Sequence, residues 1–540
     1  MAGGSTSELK NQGIYIVHLK KFWETKGAKI LLFIVMVIVL FQVLELQNFL
    51  ALYVPIPIIF SNEDSSSSST SNNTPGFLSN DFYIPFVDSK DDYSNASSIS
   101  NLVSAEEDRE TKKKKRNKKK RVKKVLEIVS MSDMEDLLSK NHVSPISKVP
   151  LWTTEVDEQM LLAKNEIAKA PIVTNDDQLY GPVFRNLSTF KRSYELMEKI
   201  LKVYIYKDGD KPVFHNPPLV GIYASEGWFM KHMEENTHFL VDDPNKAHLF
   251  YLPFSSSRLR AALYIPDSHK HLNLITYLQS YIHNVSSQYP FWNRTGGADH
   301  FLAGCHDWAT HETENSMKSA LRGLCTSNAQ GGFEIGKDVS LPATKIYHTR
   351  FPQRHVGGKA AHERTILAFF AGAMHGYLRP ILIKYWENRD PDMAISGTIP
   401  STFKLNISDS TDPTITNPYL YYMKSSKYCL CPRGFEVWST RVMESIYYEC
   451  VPVIISDNFV PPLFEVLKWS EFSVIVPEKD VPRLKQVLMD IPQQRYLELG
   501  RGVREVKKHF LWNTSPVKYD LFHMILHSIW FNRLHQIHVQ

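Results

Sequence analysis

Between Ser426 and Ser456 the chain reads SKYCLCPRGFEVWSTRVMESIYYECVPVIIS, and Arg433, Gly434, Ser439, Arg441 and Glu444 within it have the types and spacing to hold a nucleoside diphosphate. A glycine lets a backbone approach closely, guanidiniums and a helix start favour phosphate, and a carboxylate accepts hydrogen bonds from ribose hydroxyls. The elements that would position these groups follow from pattern. Lys427 to Cys431 is a short apolar run closed by Pro432-Arg433-Gly434, and Val451 to Ile455 is apolar from end to end, so both read as buried strands. Between them Ser439 or Thr440 can cap a helix that carries Arg441 and Glu444 on one face and Val442, Ile446 and Tyr447 as apolar contacts. Strand, glycine turn, helix and strand form a βαβ unit. On pattern alone the same residues also fit a surface Arg-Glu pair on an ordinary helix, because one glycine turn is a weak motif.

A second constellation is Arg294-Thr295-Gly296-Gly297-Ala298-Asp299-His300, followed by His306-Asp307-Trp308. Asp299 and His300 place a carboxylate and an imidazole beside a tight glycine loop, either as a base that takes a proton from a hydroxyl or as braces of that loop. Asp208-Gly209-Asp210 and Asp390-Pro391-Asp392 could hold a divalent metal, but each also reads as ordinary turn chemistry. Trp292, Trp308 and Trp438 fit a sugar-stacking role less well than a core role.

Around these sites strands and helices alternate. Leu201 to Tyr206 and Ala247 to Phe254 are predicted strands with a helix around Glu226 to Glu235 between them. A second alternation runs from Ile366 to Phe370 through a helix at Leu378 to Glu387 and on to a strand at Phe472 to Val476. The expected fold is α/β, two Rossmann-like lobes with a cleft between them.

The segments CPRGFEV, STRVMESI, YECVPVIISD and PPLFEV are similar to the plant exostosin-like glycosyltransferases. The similarity continues through YPFWNRTGGADHF, CHDWATHET, DVSLPATKI, ILAFFAGAMHGYLRPILIKYWENRDPDM and HFLWNTSPVKYDLFHMILHSIW. The chain departs from the family at Trp308-Ala309-Thr310, where a WAP triplet is usual, which puts only local loop geometry in question. The resemblance implies a GT-B fold and a type II Golgi membrane protein that moves a sugar from a nucleotide sugar, UDP-linked, to a cell-wall polysaccharide or other glycan. It implies no cofactor besides that donor, and it admits homo- or hetero-oligomers with other glycosyltransferases. In this reading Arg433, Gly434, Ser439, Arg441 and Glu444 bind the donor, Asp299 and His300 serve the acceptor hydroxyl, and no metal is needed, since Arg433 and Arg441 stabilise the leaving diphosphate in an inverting single displacement. A catalytically inactive lumenal scaffold or glycan-binding protein on the same fold is the alternative. Cys305 and Cys325 are the expected disulfide; Cys429 and Cys431 are expected as core residues, and the odd count of five cysteines leaves at least one thiol unpaired within the chain.

Charge and hydropathy set the surroundings. The net charge of +5 becomes −6 without the eleven Lys and Arg of Lys112 to Lys124, so the folded part lacks the basic face of a nucleic-acid-binding protein. Ile30 to Leu44 is uncharged and almost wholly apolar, continuing past Glu45 to Leu52, and lysines ahead of it bias the N-terminus to the cytoplasm. The expected organisation is a cytoplasmic tail over 1–28, a signal anchor over 29–52 and a low-complexity lumenal stem over 53–185. An acceptor-side lobe over 186–360, a nucleotide-sugar lobe over 361–520 and a C-terminal helix over 521–540 complete it. Asn72, Asn95, Asn186, Asn284, Asn293, Asn406 and Asn513 begin N-x-Ser/Thr triplets, the glycosylation acceptors of a lumenal chain.

Overall fold

In Val451–Ile455 and Phe301 to Gly304 apolar residues face both ways along the strand, a pattern that a parallel sheet covered on both faces can bury. The computed structural model contains two such sheets. It describes residues 128–144, 149–353, 355–398 and 417–537, all within one compact unit spanning 119–540. The expected signal anchor, the lysine run and the acceptors Asn72, Asn95 and Asn406 lie outside the described residues. Among the described residues no helix is long and apolar enough to cross a membrane.

Helices α1 (Met131–Val143), α2 (Glu155–Ala168) and α3 (Leu187–Ile200) precede β1 (Val203–Ile205), and α4 (Ala224–Glu234) leads to β2 (Leu249–Tyr251). Helices α5 (Ser256–Leu263), α6 (Leu272–Gln288) and α7 (Pro290–Thr295) lead to β3 (His300–Gly304), and α8 (Ala309–Thr313) leads to β4 (Leu321–Leu324) and β5 (Val339–Ser340). These strands form a parallel sheet in the order β1-β2-β3-β4-β5.

The second sheet holds β6 (Ile366–Ala371), β7 (Met393–Ser396), β8 (Ser426–Pro432), β9 (Val451–Ile455) and β10 (Val474–Ile475), with α9 (Leu378–Trp386), α10 (Pro418–Ser425) and α11 (Arg441–Tyr447) in its connections. Its order is β10-β9-β8-β6-β7, again parallel. The chain leaves β6 outward to β7 and then crosses back to β8, so the order reverses between β6 and β8. At such a reversal the connections diverge to opposite faces and leave a crevice beyond the carboxyl ends of the two strands. The expectation of an α/β fold with two parallel sheets therefore agrees with the structure.

After α12 (Leu484–Met489) and α13 (Gln493–Val506), the chain returns as α14 (Leu521–Gln536). This helix does not rest on the second sheet; it packs against α1, α2, α3 and the strands β4 and β5. Leu521, Met524, Ile525, Ile529 and Trp530 are all buried, and so are His527, Asn532 and Arg533, because neighbours cover the helix on every side.

The stem expected over 53–185 requires correction at its end. Ser130 and Thr154 close capping boxes on α1 and α2, which satisfy backbone donors at both helix starts. Met134 and Leu138 then pack with Val460 and Phe464, while Met160, Ala163 and Ile167 join the main core. Residues from 128 onward thus belong to the folded unit, since their apolar stripes bury against surfaces that lie hundreds of residues away in sequence.

The cysteine reading is half corrected. Cys305–Cys325 is a disulfide that ties the residue after β3 to the residue after β4. Cys429, expected as a plain core residue, is instead joined to Cys450, across a Cα separation of 5.8 Å. Cys431 is the buried free thiol, and burial pushes it up to about 12.

Candidate functional site

The crevice beyond β6 and β8 collects three guanidiniums. Arg441, at the first position of α11, donates through Nη2 (2.6 Å) and Nε (3.2 Å) to the carbonyl of Ala371, the last residue of β6, and lies 4.9 Å from the Phe370 ring. Arg379 is buried at the start of α9 and donates to the carbonyls of Ala373 (3.0 Å) and Arg433 (3.2 Å). Among the described residues neither has a carboxylate at ion-pair distance. Burial, with the neighbouring charge of Arg441 adding to it, lowers Arg379 to about 9. Arg433 projects from the turn after β8 with its guanidinium 5.2 Å from the Tyr377 ring and 3.6 Å from Glu478, and its Nε has no protein acceptor.

Two glycines make room for this. A side chain at Gly372 would overlap the Arg441 guanidinium, and one at Gly376, where φ is +70°, would run into the Gly434 carbonyl. The β6–α9 loop and the β8 turn therefore touch backbone to backbone. Ser439 is buried and its hydroxyl accepts the Arg441 amide at 3.4 Å. Glu444 does not pair with Arg441; it accepts a hydrogen bond from the Tyr419 hydroxyl.

Facing this crevice from the first sheet is the loop after β3. Its Asp307 accepts a hydrogen bond from the Trp438 indole Nε1 at 3.1 Å, so a carboxylate of one lobe meets an indole of the other. Burial pushes Asp307 up to about 6, against the opposing pull of Trp438, Arg260 and Tyr223. Glu436 is raised to about 7, first by burial and then by the charge of Asp307, with Arg433 opposing. Two carboxyl groups that share a site ionise in turn, and the donors on Asp307 make it the first. The His306 ring lies tilted at 4.9 Å from Tyr223 and edge-on at 4.9 Å from Trp308; burial first, and then Arg260 and His271, lower it to about 3, so it is neutral.

Glu226 of α4 fixes this loop. Its buried carboxyl accepts from the Cys305 amide (2.6 Å), the Ser255 hydroxyl (2.6 Å) and the Ser257 amide (3.0 Å), tying β3, α5 and α4 together. It is a positioning residue, because its oxygens are used within the protein.

Asp299 and His300, expected at the acceptor, are not in the cleft. They are 1% and 0% exposed at the opposite end of β3. Asp299 receives Arg294 Nη2 (2.8 Å), the Thr295 hydroxyl (2.6 Å) and His300 Nδ1 (2.7 Å), and Tyr206 bonds His300 Nε2 at 2.9 Å. Burial works to raise Asp299, but His300, Arg533 and Arg294 outweigh it and hold the carboxyl well below the ordinary carboxylate range. A carboxylate with its oxygens occupied and no exposed surface cannot take a proton from a sugar hydroxyl. These residues brace the fold.

The two acidic motifs are also engaged locally. The Asp208 carboxylate accepts from the Tyr289 hydroxyl at 3.1 Å, and Asp390 and Asp392 share Lys485 at 2.6 and 3.0 Å. Of the glycosylation candidates, Asn186 caps α3 and Asn284 lies on α6, both exposed. The Asn293 amide donates to the Ser286 carbonyl (2.7 Å), and that of Asn513 donates to Asp520 (3.1 Å).

An open depression of about 730 Å³ lies elsewhere on the first lobe, lined by Glu195, Glu198, His232, His238 and His523 among others. Its histidines bond Asn513, Glu198 and Asp520, and it has no counterpart of the arginine cluster. Volume alone does not make it the reaction site.

Fold and site together define an α/β protein of two parallel sheets with an arginine-lined crevice at the switch point of the second. Residues 197–491 match the family model described as the exostosin GT47 domain. The chain is 40% identical over 367 residues to a protein of Arabidopsis thaliana named "probable glycosyltransferase", covering 67% of this chain and 68% of that one. A second Arabidopsis thaliana protein of that description is 43% identical over 358 residues, covering 65% and 72%. The "probable beta-1,4-xylosyltransferase IRX10" of the same plant is 29% identical over 361 residues, covering 61% and 81%. The chain belongs to the exostosin GT47 family of glycosyltransferases. Among solved structures it is similar to MurG of Acinetobacter baumannii at 11% identity and a TM-score of 0.26, covering 57% of this chain and 95% of that one, which is too slight a likeness to build on.

Proposed function

We propose that the chain transfers a sugar from a UDP-linked donor to a cell-wall polysaccharide by an inverting single displacement on a GT-B fold. The observation that carries this reading is the pair Arg379 and Arg441, two guanidiniums that have no carboxylate at ion-pair distance among the described residues and are held by backbone carbonyls at the switch point of a parallel sheet. Such a pair suits a diphosphate, and Glu444 stands one helical turn away for the ribose. The acceptor hydroxyl oxygen attacks the anomeric carbon from the face opposite the diphosphate. As that bond forms, the bond from the anomeric carbon to the phosphate oxygen breaks, Asp307 takes the hydroxyl proton, and the nucleoside diphosphate leaves with the electron pair. Fixed guanidiniums at the departing charge lower the barrier by several kcal/mol in comparable sites. In this reading they do so without a metal. The names of the relatives support glycosyl transfer, IRX10 as a probable beta-1,4-xylosyltransferase among them.

The chain would work as a single-pass type II protein of the Golgi membrane with residues 53–540 lumenal. An endoglycosidase-sensitive glycan on Asn186 or Asn284 checks that orientation, and an unmodified chain from a secretory host would count against it. The catalytic reading is tested by nucleoside diphosphate release from a panel of nucleotide sugars, with and without a chelator. Release with a UDP-linked donor, unchanged by chelation, is expected. Chelator-sensitive release would return Asp208 and Asp210 to consideration as ligands. Absence of both release and nucleotide binding in the folded chain would favour the inactive scaffold.

A further inference from the structure

Beside Asp307 the first lobe carries an aromatic platform that the donor chemistry does not use. The Trp308 ring lies 4.0 Å from His271 and 4.7 Å from Tyr264. The Arg260 guanidinium lies 5.9 Å from both Tyr264 and Trp308. Trp308, Tyr264 and His271 are half-buried, while Arg260, His269 and Lys270 are exposed.

Two features make this platform more than a packed corner. The first is charge: α5 and the loop after it supply Arg258, Arg260 and Lys270 against the single carboxylate Asp267. Among the described residues neither Arg260 nor Lys270 has a carboxylate at ion-pair distance, and Arg260 reaches Asp307 only through space. The second is place: Trp308 follows Asp307 directly in the loop after β3, and Arg260, which lies over the Trp308 ring, also acts on the Asp307 charge.

A pyranose ring presents a face of C–H groups that packs on aromatic rings, and a guanidinium forks onto a carboxylate at the sugar's edge. We infer that Tyr264, His271 and Trp308, with Arg260 and Lys270 at their rim, form an acceptor subsite for a glycan chain bearing uronic-acid carboxylates. The inference rests on the glycosyltransferase reading and deepens it from an acceptor of unstated charge to an acidic one.

The test uses the full chain and three probes: oligogalacturonides, the same oligosaccharides methyl-esterified, and neutral xylo-oligosaccharides, with UDP binding measured in parallel. The acidic oligosaccharides are expected to bind on the order of tenfold more tightly than their esters, the strength of one charge-assisted contact. Arg260→Gln should remove most of that preference and Lys270→Ala a smaller part. Trp308→Leu should weaken all three oligosaccharides, and UDP affinity should hold throughout. Arg260 and Lys270 are surface residues, so at least one of their variants reads the contact on a folded chain. Equal affinity for acid and ester, or a preference that survives both charge variants, overturns the subsite while leaving the donor reading intact. Failure of the unsubstituted chain to bind UDP overturns the donor reading itself and, with it, this one.

Discussion

Strand β3 has an acidic residue and a histidine at each end, and the two ends do opposite things. At its start Asp299 and His300 lie sealed in a network with Arg294, Thr295 and Tyr206. Past its finish Asp307 faces the second lobe, where it takes a hydrogen bond from Trp438, and His306 beside it lies against Tyr223 and Trp308. Residue types are the same; what differs is the end of a parallel strand. Helices cover the amino ends, whereas the carboxyl ends open on the crevice where such folds bind ligands. The same contrast separates two arginines. Arg294 is shared between the buried carboxylates of Asp157 and Asp299, while Arg441 is held by the Ala371 carbonyl and, among the described residues, has no carboxylate at ion-pair distance.

The arginines offer the sharpest way to break this contrast. Arg441→Ala is expected to lower kcat by about 10²–10³-fold with little change in the unfolding midpoint, since it removes a charge aimed at the leaving group. Arg294→Ala should do the reverse, costing about 3–5 kcal/mol of stability because two buried carboxylates lose their cation. Equal loss of stability in both variants, by denaturant unfolding, would erase the distinction.

A smaller effect comes from pH. The base must be ionised, and Asp307 is raised to about 6, so kcat/KM should fall as pH drops through about 6, roughly tenfold per unit below it. If Asp299 were the base, activity would persist far into acid, because its carboxyl is held below the ordinary range. The smallest effect is that of Tyr206→Phe, which removes the partner of His300 Nε2. It should cost about 1–2 kcal/mol of stability and leave kcat per folded molecule unchanged.

Much of this was legible in the chain itself. Val451 to Ile455 is the observed β9, and Ser426–Pro432 extends the expected Lys427 to Cys431 by one residue at each end, because short apolar runs bounded by turn residues fit buried strands. The turn and helix that carry Arg433, Gly434 and Arg441 were legible. Arg379 was not, for it sits in an apolar helix and its role depends on a carbonyl of the β8 turn 54 residues on. The burial of helices α1 and α2 was hidden for a related reason: an amphipathic piece such as Val125 to Leu138 reads as an isolated helix of the stem until Val460 and Phe464 come to cover Met134 and Leu138. The choice of Asp299 over Asp307 had a readable remedy. Phe301 to Gly304 is an apolar run, so Asp299 lies ahead of a strand and Asp307 beyond it, and only the second position opens on a crevice.

The most direct test sets Asp299→Asn beside Asp307→Asn, measuring nucleoside diphosphate release per folded molecule and unfolding free energy for each. The expected result is a loss of 10²–10⁴-fold in turnover for Asp307→Asn with stability near that of the unsubstituted chain, and a several-kcal/mol loss of stability for Asp299→Asn with turnover per folded molecule retained. Turnover lost in Asp299→Asn and kept in Asp307→Asn would contradict the account.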